Sequence, residues 1–514
     1  MPRSWYVLDT IYLMILIGAT RVSYRLIRLR RQNRTFPWSK RKKVMIIGGG
    51  EAGRSLITEI QNSKYLDQKV VCIIDDDPYK IGRYIKGVKV VGNRNSIKKS
   101  VKKYNVQQII LTMPSANAAK IRPIVEICQD TNCELMILPG VYQLVNGEVK
   151  ASKLRPVNID DLLGRDEVHV NLNEVMDYVS GRVIMVTGGG GSIGSELCRQ
   201  IAKHSPKQLI IFDIYENNAY DIQQELLREQ PKLDLVVLIG SVRDENRINS
   251  IFEQYRPEII YHAAAHKHVP LMEGSPNEAI KNNVLGTYNM VRMADKWNAK
   301  RFVQISTDKA VNPTNIMGAS KRICEMIIQT YNKESDTEYV AVRFGNVLGS
   351  NGSVIPLFKK QIAEGGPVTV THPEIIRYFM TIPEAVSLVL QAGAYAKGGE
   401  IFVLDMGEPV KILDLARNMI RLSGYKVDQD IKIEFTGLRP GEKLYEELLM
   451  DEEGMTDTPN KLIHIGHPID VDEVKLAHAL RVLESAAQNE TDDMRLIVES
   501  IVPTYHPQLN KSTQ

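Results

Sequence analysis

The chain reads as an α/β protein built from two Rossmann-like, doubly wound parallel-sheet units. The second unit carries a smaller C-terminal substrate-binding part, and a membrane-anchor segment precedes both. Three observations predict this. Two glycine clusters, Gly48–Gly50 with Gly53 and Gly188–Gly191 with Gly194, each follow a short apolar β run and open a helical pattern. A second apolar run then ends in aspartate, Asp75 and Asp213, at about the ~20-residue offset of a ribose-binding acid. Finally, 514 residues exceed one ordinary domain, and 43% hydrophobic with 25% charged residues is a globular composition.

The formal net charge of +4 gives no general affinity for nucleic acid, so a nucleic-acid partner is not expected. Five cysteines form no C-x-x-C pair and read as reduced, buried thiols of a cytoplasmic protein.

Residues 1–41 are the expected anchor. Trp5–Ala19 is apolar apart from Asp9 and Thr10, and the basic run from Arg21 to Lys43 follows it. That asymmetry places the rest of the chain on the cytoplasmic face of a cell membrane. An amphipathic helix lying on the bilayer or on the protein is the alternative.

Residues 42–150 form the first unit. Gly48, Gly50 and Gly53 make G-x-G-x-x-G after Val44–Ile47, and Val70–Ile74 leads into Asp75. A second nucleotide-type site and a retained fold that binds nothing both fit. Residues 151–180, with Ile159–Arg165, read as a connector.

Residues 181–450 form the second unit. Gly188, Gly191 and Gly194, with Ser192 and Ile193 between them, follow Val183–Val186. A pyrophosphate rests on such a turn and on the N–H groups of the next helix. No Lys or Arg stands in Ile214–Asn218 beside Asp213, so the expected cofactor is NAD rather than NADP. Ser241 and Val242 follow the third strand, at the adenine. The small residues Ala263 and Ala264 allow close backbone approach to a dinucleotide. His262, His266 and His268 lack a closed ligand set, and no metal is expected. Lys267, in the same loop, is a candidate substrate contact.

The most chemical stretch is Phe302–Lys321. Its strand delivers Ser306, Thr307, Asp308 and Lys309 at the carboxyl end, where open α/β sheets hold ligands. A hydroxyl, a carboxylate and an amine in sequence can hold, protonate and deprotonate a sugar. Asn346, Arg377 and Arg439 stand in Gly- and Arg-rich segments suited to a diphosphate.

TGGGGSIGSE, HAAAHKHVPLME, STDKAVNPTNIMGASK, RFGNVLGSNGSVIP, RYFMTIPEA and GLRPGEKLYEEL together resemble the extended short-chain dehydrogenase/reductases. Within these the chain resembles the membrane-associated UDP-N-acetylglucosamine 4,6-dehydratases of the capsular polysaccharide CapD type. The resemblance covers nearly everything before about Thr456. It implies bound NAD, a UDP-N-acetylhexosamine substrate, membrane association and a homo-oligomer, with Glu442 on the uridine ribose. The wider superfamily has a Tyr-x-x-x-Lys pair, but Met317 stands four residues before Lys321, and the resemblance to the membrane-associated dehydratases implies methionine at that place. A thioether cannot take a hydroxyl proton.

The missing base is therefore sought in Thr307, Asp308 and Lys309. Asp308 is expected to protonate the departing C6 hydroxyl and Lys309, with a lowered pKa, to remove the C5 proton. Thr307 and Lys321 orient the C4 hydroxyl and the nicotinamide ribose. A UDP-sugar 4-epimerase and a non-catalytic NAD- or UDP-sugar-sensing scaffold remain the alternatives. Residues 451–514 show weak helical periodicity and read as a packing or association element.

Overall fold

The computed structural model describes residues 4–32, 41–63, 66–116, 118–131, 133–138, 154–158, 161, 176–447, 454–466 and 471–507. Most of the expected connector lies outside these. The chain divides into two compact units, residues 1–164 and 165–514.

The first unit opens with a helix, Ser4–Gln32. The expectation of a spanning anchor is corrected here: no described helix is long and apolar enough to cross a membrane. The reason lies in the charges. Between Asp9 and Arg21 the apolar stretch has only about half of the ~20 residues a crossing needs.

The sheet of this unit is built from β1 (Lys42–Ile47), β2 (Gln68–Ile74), β3 (Tyr84–Ile85), β4 (Val88–Gly92), β5 (Gln108–Leu111), β6 (Glu134–Ile137) and β7 (Arg155–Pro156). Their order is β3-β4-β2-β1-β5-β6-β7, parallel from β4 to β6 and antiparallel at each edge. Branched apolar residues make β1 and β5 near-continuously buried, as a sheet covered on both faces requires.

The second unit repeats this plan on a larger scale. Its first six strands are β8 (Val183–Thr187), β9 (Gln208–Asp213), β10 (Leu235–Ile239), β11 (Ile259–His262), β12 (Arg301–Ile305) and β13 (Glu338–Arg343). They lie side by side and parallel in the order β10-β9-β8-β11-β12-β13. Two short pairs follow in sequence, β14 (Asn346–Val347) with β17 (Phe379–Met380) and β15 (Val368–Val370) with β20 (Ile433–Phe435). A third joins β16 (Ile376–Arg377) to β19 (Val410–Lys411). β18 (Ile401–Leu404) extends the main sheet beside β13, and the antiparallel β22 (Ile463–Gly466) and β21 (Met455–Asp457) complete nine strands.

Two hydrophobic layers cover this sheet. One gathers Met185, Phe212, Phe252, Met290, Met317 and Ile327 under the helices of one face. The other packs Leu197, Ile201, Val386 and Leu390 against Ile184 and Val186. The residues after 450 belong to this architecture. Leu476, Leu480 and Leu483 of the Glu473–Gln488 helix, with Met494 and Val498 of the next, are buried in the first layer.

Candidate active site

Register decides what meets at the carboxyl edge of the large sheet. Thr187 of β8 pairs with His262 of β11 and with Phe212 of β9, and His262 pairs with Gln304 of β12. Gly188, Asp213, Ala263 and Ser306 each leave the sheet within one or two residues of that line. The expected cofactor and catalytic residues are thereby brought to one edge.

The glycine turn is a cradle set by sterics. Gly188 has φ +65°, and a Cβ there would lie 2.8 Å from the Ala264 nitrogen, which brings Ala263 and Ala264 against the turn. A Cβ on Gly194 would overlap the Gly188 carbonyl, so glycine permits the helix to press on the strand. Gly191 caps the Ser192–Ala202 helix and no side chain caps its first N–H groups, which stay open to a pyrophosphate. Asp213, at the end of β9, accepts the Gly190 N–H at 2.8 Å and the Tyr215 N–H at 2.9 Å. Each carboxylate oxygen keeps a lone pair for a ribose hydroxyl. These residues fit NAD. Ile193 packs into the second layer, while Ser192 Oγ accepts the Asn351 N–H at 3.2 Å. Ser241 Oγ accepts the Arg243 N–H at 3.2 Å, and Val242 is buried.

Behind the turn, His262 is fully buried between Thr187 Oγ1 (2.7 Å from Nδ1) and Thr287 Oγ1 (3.0 Å from Nε2). Burial, with the Lys321 charge nearby, pushes its pKa down to about 3 and keeps it neutral. Asn283, in a buried π-helical turn, accepts the His266 N–H at 2.8 Å and donates to Ser320 Oγ at 3.0 Å. Lys267 lies exposed in this loop, its pKa lowered by partial burial of the ammonium.

Ser306 leaves the chemistry. Its hydroxyl donates to Glu325 Oε1 at 2.7 Å, and Arg343 grips both Glu325 oxygens at 2.7 Å. Arg322 adds a 3.0 Å bond to Glu325 Oε2. Burial opposes the carboxylate, yet Arg343 and Arg322 outweigh it and hold Glu325 down at about 2. Removing one partner from such a buried cluster costs about 3–5 kcal/mol. Ser306 is a buttress under the Thr307–Lys309 loop.

Thr307, Asp308 and Lys309 stand together. Thr307 Oγ1 donates to Asp308 Oδ1 at 2.8 Å, and Lys309 Nζ donates to that same oxygen at 2.8 Å. Lys309 also reaches Asn346 Oδ1 at 3.4 Å. Asp308 is 1% exposed, and its Oδ2 has no hydrogen-bond partner. Lys321 and Met317 are buried on the Ile316–Glu334 helix, whose Gly318 abuts the Lys309 carbonyl.

A second loop closes the site. Gly441 O accepts Thr314 Oγ1 at 2.9 Å and Asn315 Nδ2 at 3.1 Å, docking residues 437–447 onto the catalytic loop. Glu446 thereby comes 3.9 Å from Lys309 Nζ. Arg377 is also buried. Its guanidinium donates to the carbonyls of Ile376 (2.7 Å), Lys443 (2.8 Å) and Leu444 (3.2 Å), and to Glu442 at 3.5 Å. The expected diphosphate contact at Arg377 is therefore corrected: its donors are committed to holding this loop. Arg439 is exposed, and its N–H and carbonyl bracket Glu442.

The model for the polysaccharide biosynthesis proteins matches residues 184–468. The chain belongs to that family. It is similar to a capsular polysaccharide biosynthesis protein CapD of Staphylococcus aureus, 49% identical over 86% of this chain and 73% of that protein's length. A probable polysaccharide biosynthesis protein EpsC of Bacillus subtilis is 46% identical over 89% of this chain and 76% of its own. Among solved structures, Pen from Bacillus thuringiensis is 35% identical, with a TM-score of 0.53 over 57% of this chain and 90% of that one. Residues 3–139 match a CoA-binding domain model.

The charges of this family site reverse one expectation. Lys309 does not have a lowered pKa. Burial opposes its charge, but Asp308 and Glu446 outweigh that and raise the pKa above the ordinary lysine value. Lys321 is the lysine pushed down, by burial. Sequence reading missed Glu446, Glu325 and Asn283. An acid five residues past the Pro440-Gly441 turn and paired Asn residues in an apolar helix were the available signals.

In the first unit, Gly48 has φ +104° and a Cβ on Gly53 would overlap the Gly48 carbonyl. Gly50 caps the following helix. Asp75 accepts the Gly49 N–H at 2.6 Å, but Lys80 Nζ lies 3.1 Å from its Oδ2 and 3.3 Å from its Oδ1.

Proposed function

We propose that the second unit is an NAD-dependent 4,6-dehydratase acting on UDP-N-acetylglucosamine for surface polysaccharide synthesis. The observation that carries this reading is the Thr307-Asp308-Lys309 cluster, with Asp308 buried, at the same sheet edge as the turn that fits NAD. NAD, which Gly188, Gly191 and Asp213 would hold, would supply the hydride chemistry between sugar C4 and C6. The chain's own groups handle the protons. Lys309, held charged between two carboxylates, is the donor to the departing C6 oxygen. Asp308, with its unpartnered Oδ2, takes the C5 proton and later returns it. Thr307 orients the C4 hydroxyl and Lys321 the nicotinamide ribose. Asn346 and the exposed Arg439 face the sugar nucleotide, with Glu442 on its ribose.

The test is the mass of UDP-N-acetylglucosamine after incubation with the protein. Loss of one water is expected. An unchanged mass with an altered sugar would make the protein an epimerase, and an untouched substrate would favour a binding scaffold.

A further inference from the structure

A proton count leaves the dehydratase reading one group short. Oxidation at C4 releases the hydroxyl proton, and elimination releases the C5 proton, so two acceptors must be loaded at once. Asp308 takes the second. The residue four positions before Lys321, Met317, has no basic atom to take the first.

The structure supplies an acceptor elsewhere. Glu446 is a buried carboxyl, its side chain 4% exposed, whose Oε1 lies 3.9 Å from Lys309 Nζ and 3.8 Å from Arg377 Nη2. It stands at the end of a polar line, one gap of 3.9 Å short of hydrogen-bond contact. Thr307 Oγ1 is 2.8 Å from Asp308 Oδ1, Lys309 Nζ is 2.8 Å from the same oxygen, and Glu446 stands beyond the ammonium. A small rotation of the flexible Lys309 stem would close that gap.

We infer that Glu446 is the proton store of this site, the acceptor that receives the C4 hydroxyl proton through Thr307, Asp308 and Lys309. The inference rests on the dehydratase reading.

The steps balance. As the C4–H electron pair leaves toward the cofactor, the C4 hydroxyl gives its proton to Thr307 Oγ1, which passes its own to Asp308 Oδ1. That proton moves to Lys309 as Lys309 releases one to Glu446. Glu446 ends protonated, and Lys309 is unchanged. Asp308 Oδ2 then takes the C5 proton while Lys309 protonates the departing O6, and water leaves. Glu446 recharges Lys309. Hydride returns to C6, Asp308 returns its proton to C5, and every side chain is restored. Burial and the Asp308 charge raise the Glu446 pKa, opposed by Lys309, Arg377 and Lys443, which suits a carboxyl that is loaded and unloaded each turnover.

The experiment uses the full chain and stopped-flow detection of reduced nicotinamide after mixing with UDP-N-acetylglucosamine. Glu446→Gln should bind NAD and UDP as the unaltered protein does, yet form the reduced cofactor roughly 10²–10⁴-fold more slowly. Glu446→Asp should recover part of the rate, and added acetate should accelerate Glu446→Ala where chloride does not. A Glu446→Gln transient at full rate overturns the inference. So does a slow Glu446→Ala that acetate leaves unmoved, since that is the behaviour of a packing residue. A protein that reduces its cofactor but releases no dehydrated sugar overturns the dehydratase reading alone. One that never reduces its cofactor overturns both.

Discussion

The chain builds a strand, a glycine turn and a helix twice, and the two copies share the turn and its aspartate but differ in what surrounds them. Gly53 on Gly48 and Gly194 on Gly188 meet the same steric demand. Asp75 and Asp213 accept turn N–H groups at 2.6 and 2.8 Å. The surroundings then diverge. Lys80 is paired with Asp75, whereas among the described residues no cation is paired with Asp213. Glu51 heads the first unit's helix, where a pyrophosphate would meet a like charge, and Ser192 heads the second. Thr112 and Met113 crowd Gly48, while Ala263 and Ala264 lie against Gly188. Glycines therefore report on the fold, and the residues around them report on the ligand.

The difference is largest at the chemistry. Asp308→Asn is expected to slow water loss from UDP-N-acetylglucosamine roughly 10²–10⁴-fold. Asp75→Asn, in the other unit, should leave that rate unchanged. Equal losses in the two variants would erase the distinction.

A smaller effect is expected in cofactor binding. Asp213→Ala should weaken NAD by roughly 10–100-fold, the loss of a charged hydrogen bond of ~1.5–3 kcal/mol, and relax discrimination against NADP. Asp75→Ala should not change NAD affinity or stoichiometry. Titration calorimetry of each variant with both nucleotides measures this.

The smallest effect sharpens the comparison most. Lys80→Met removes the partner of Asp75 and should change the stability of the first unit by only ~0–1 kcal/mol in a denaturant melt, because the lysine is partly solvated. No second NAD is expected to bind, since Glu51 and Met113 remain. A second equivalent would mean that the ion pair alone closes the turn.

Features carried by neighbouring residues were legible in the sequence: both glycine fingerprints, Asp213 at the end of its strand, and Thr307-Asp308-Lys309 at theirs. What escaped depends on contacts across long stretches of chain. Glu446 reaches Lys309 only because Gly441 docks on Thr314 and Asn315. Burial opposes the Lys309 charge, but Asp308 beside it and then Glu446 raise its pKa, opposite to the lowered value expected from the sequence. Arg377 looked like a phosphate ligand until the carbonyls of Lys443 and Leu444 occupied it. Leu476, Leu480, Leu483 and Ala487 repeat at helical spacing, but spacing along the chain does not say which core a helix joins, so the packing of Leu480 and Leu483 in one core with Met317 was not legible.

The docking of distant segments on the catalytic loop has a consequence for the order of assembly. The glycine turn is made by successive β-α-β contacts, which close short loops. The catalytic loop instead waits for Gly441, for Arg495 on Glu273 at 3.2 Å, and for the His506 N–H on the Pro313 carbonyl at 3.0 Å. Such long closures cost more chain entropy and come late in folding. A refolding chain should therefore regain NAD binding before it regains the proposed water elimination, passing through a species that holds its cofactor and does no chemistry.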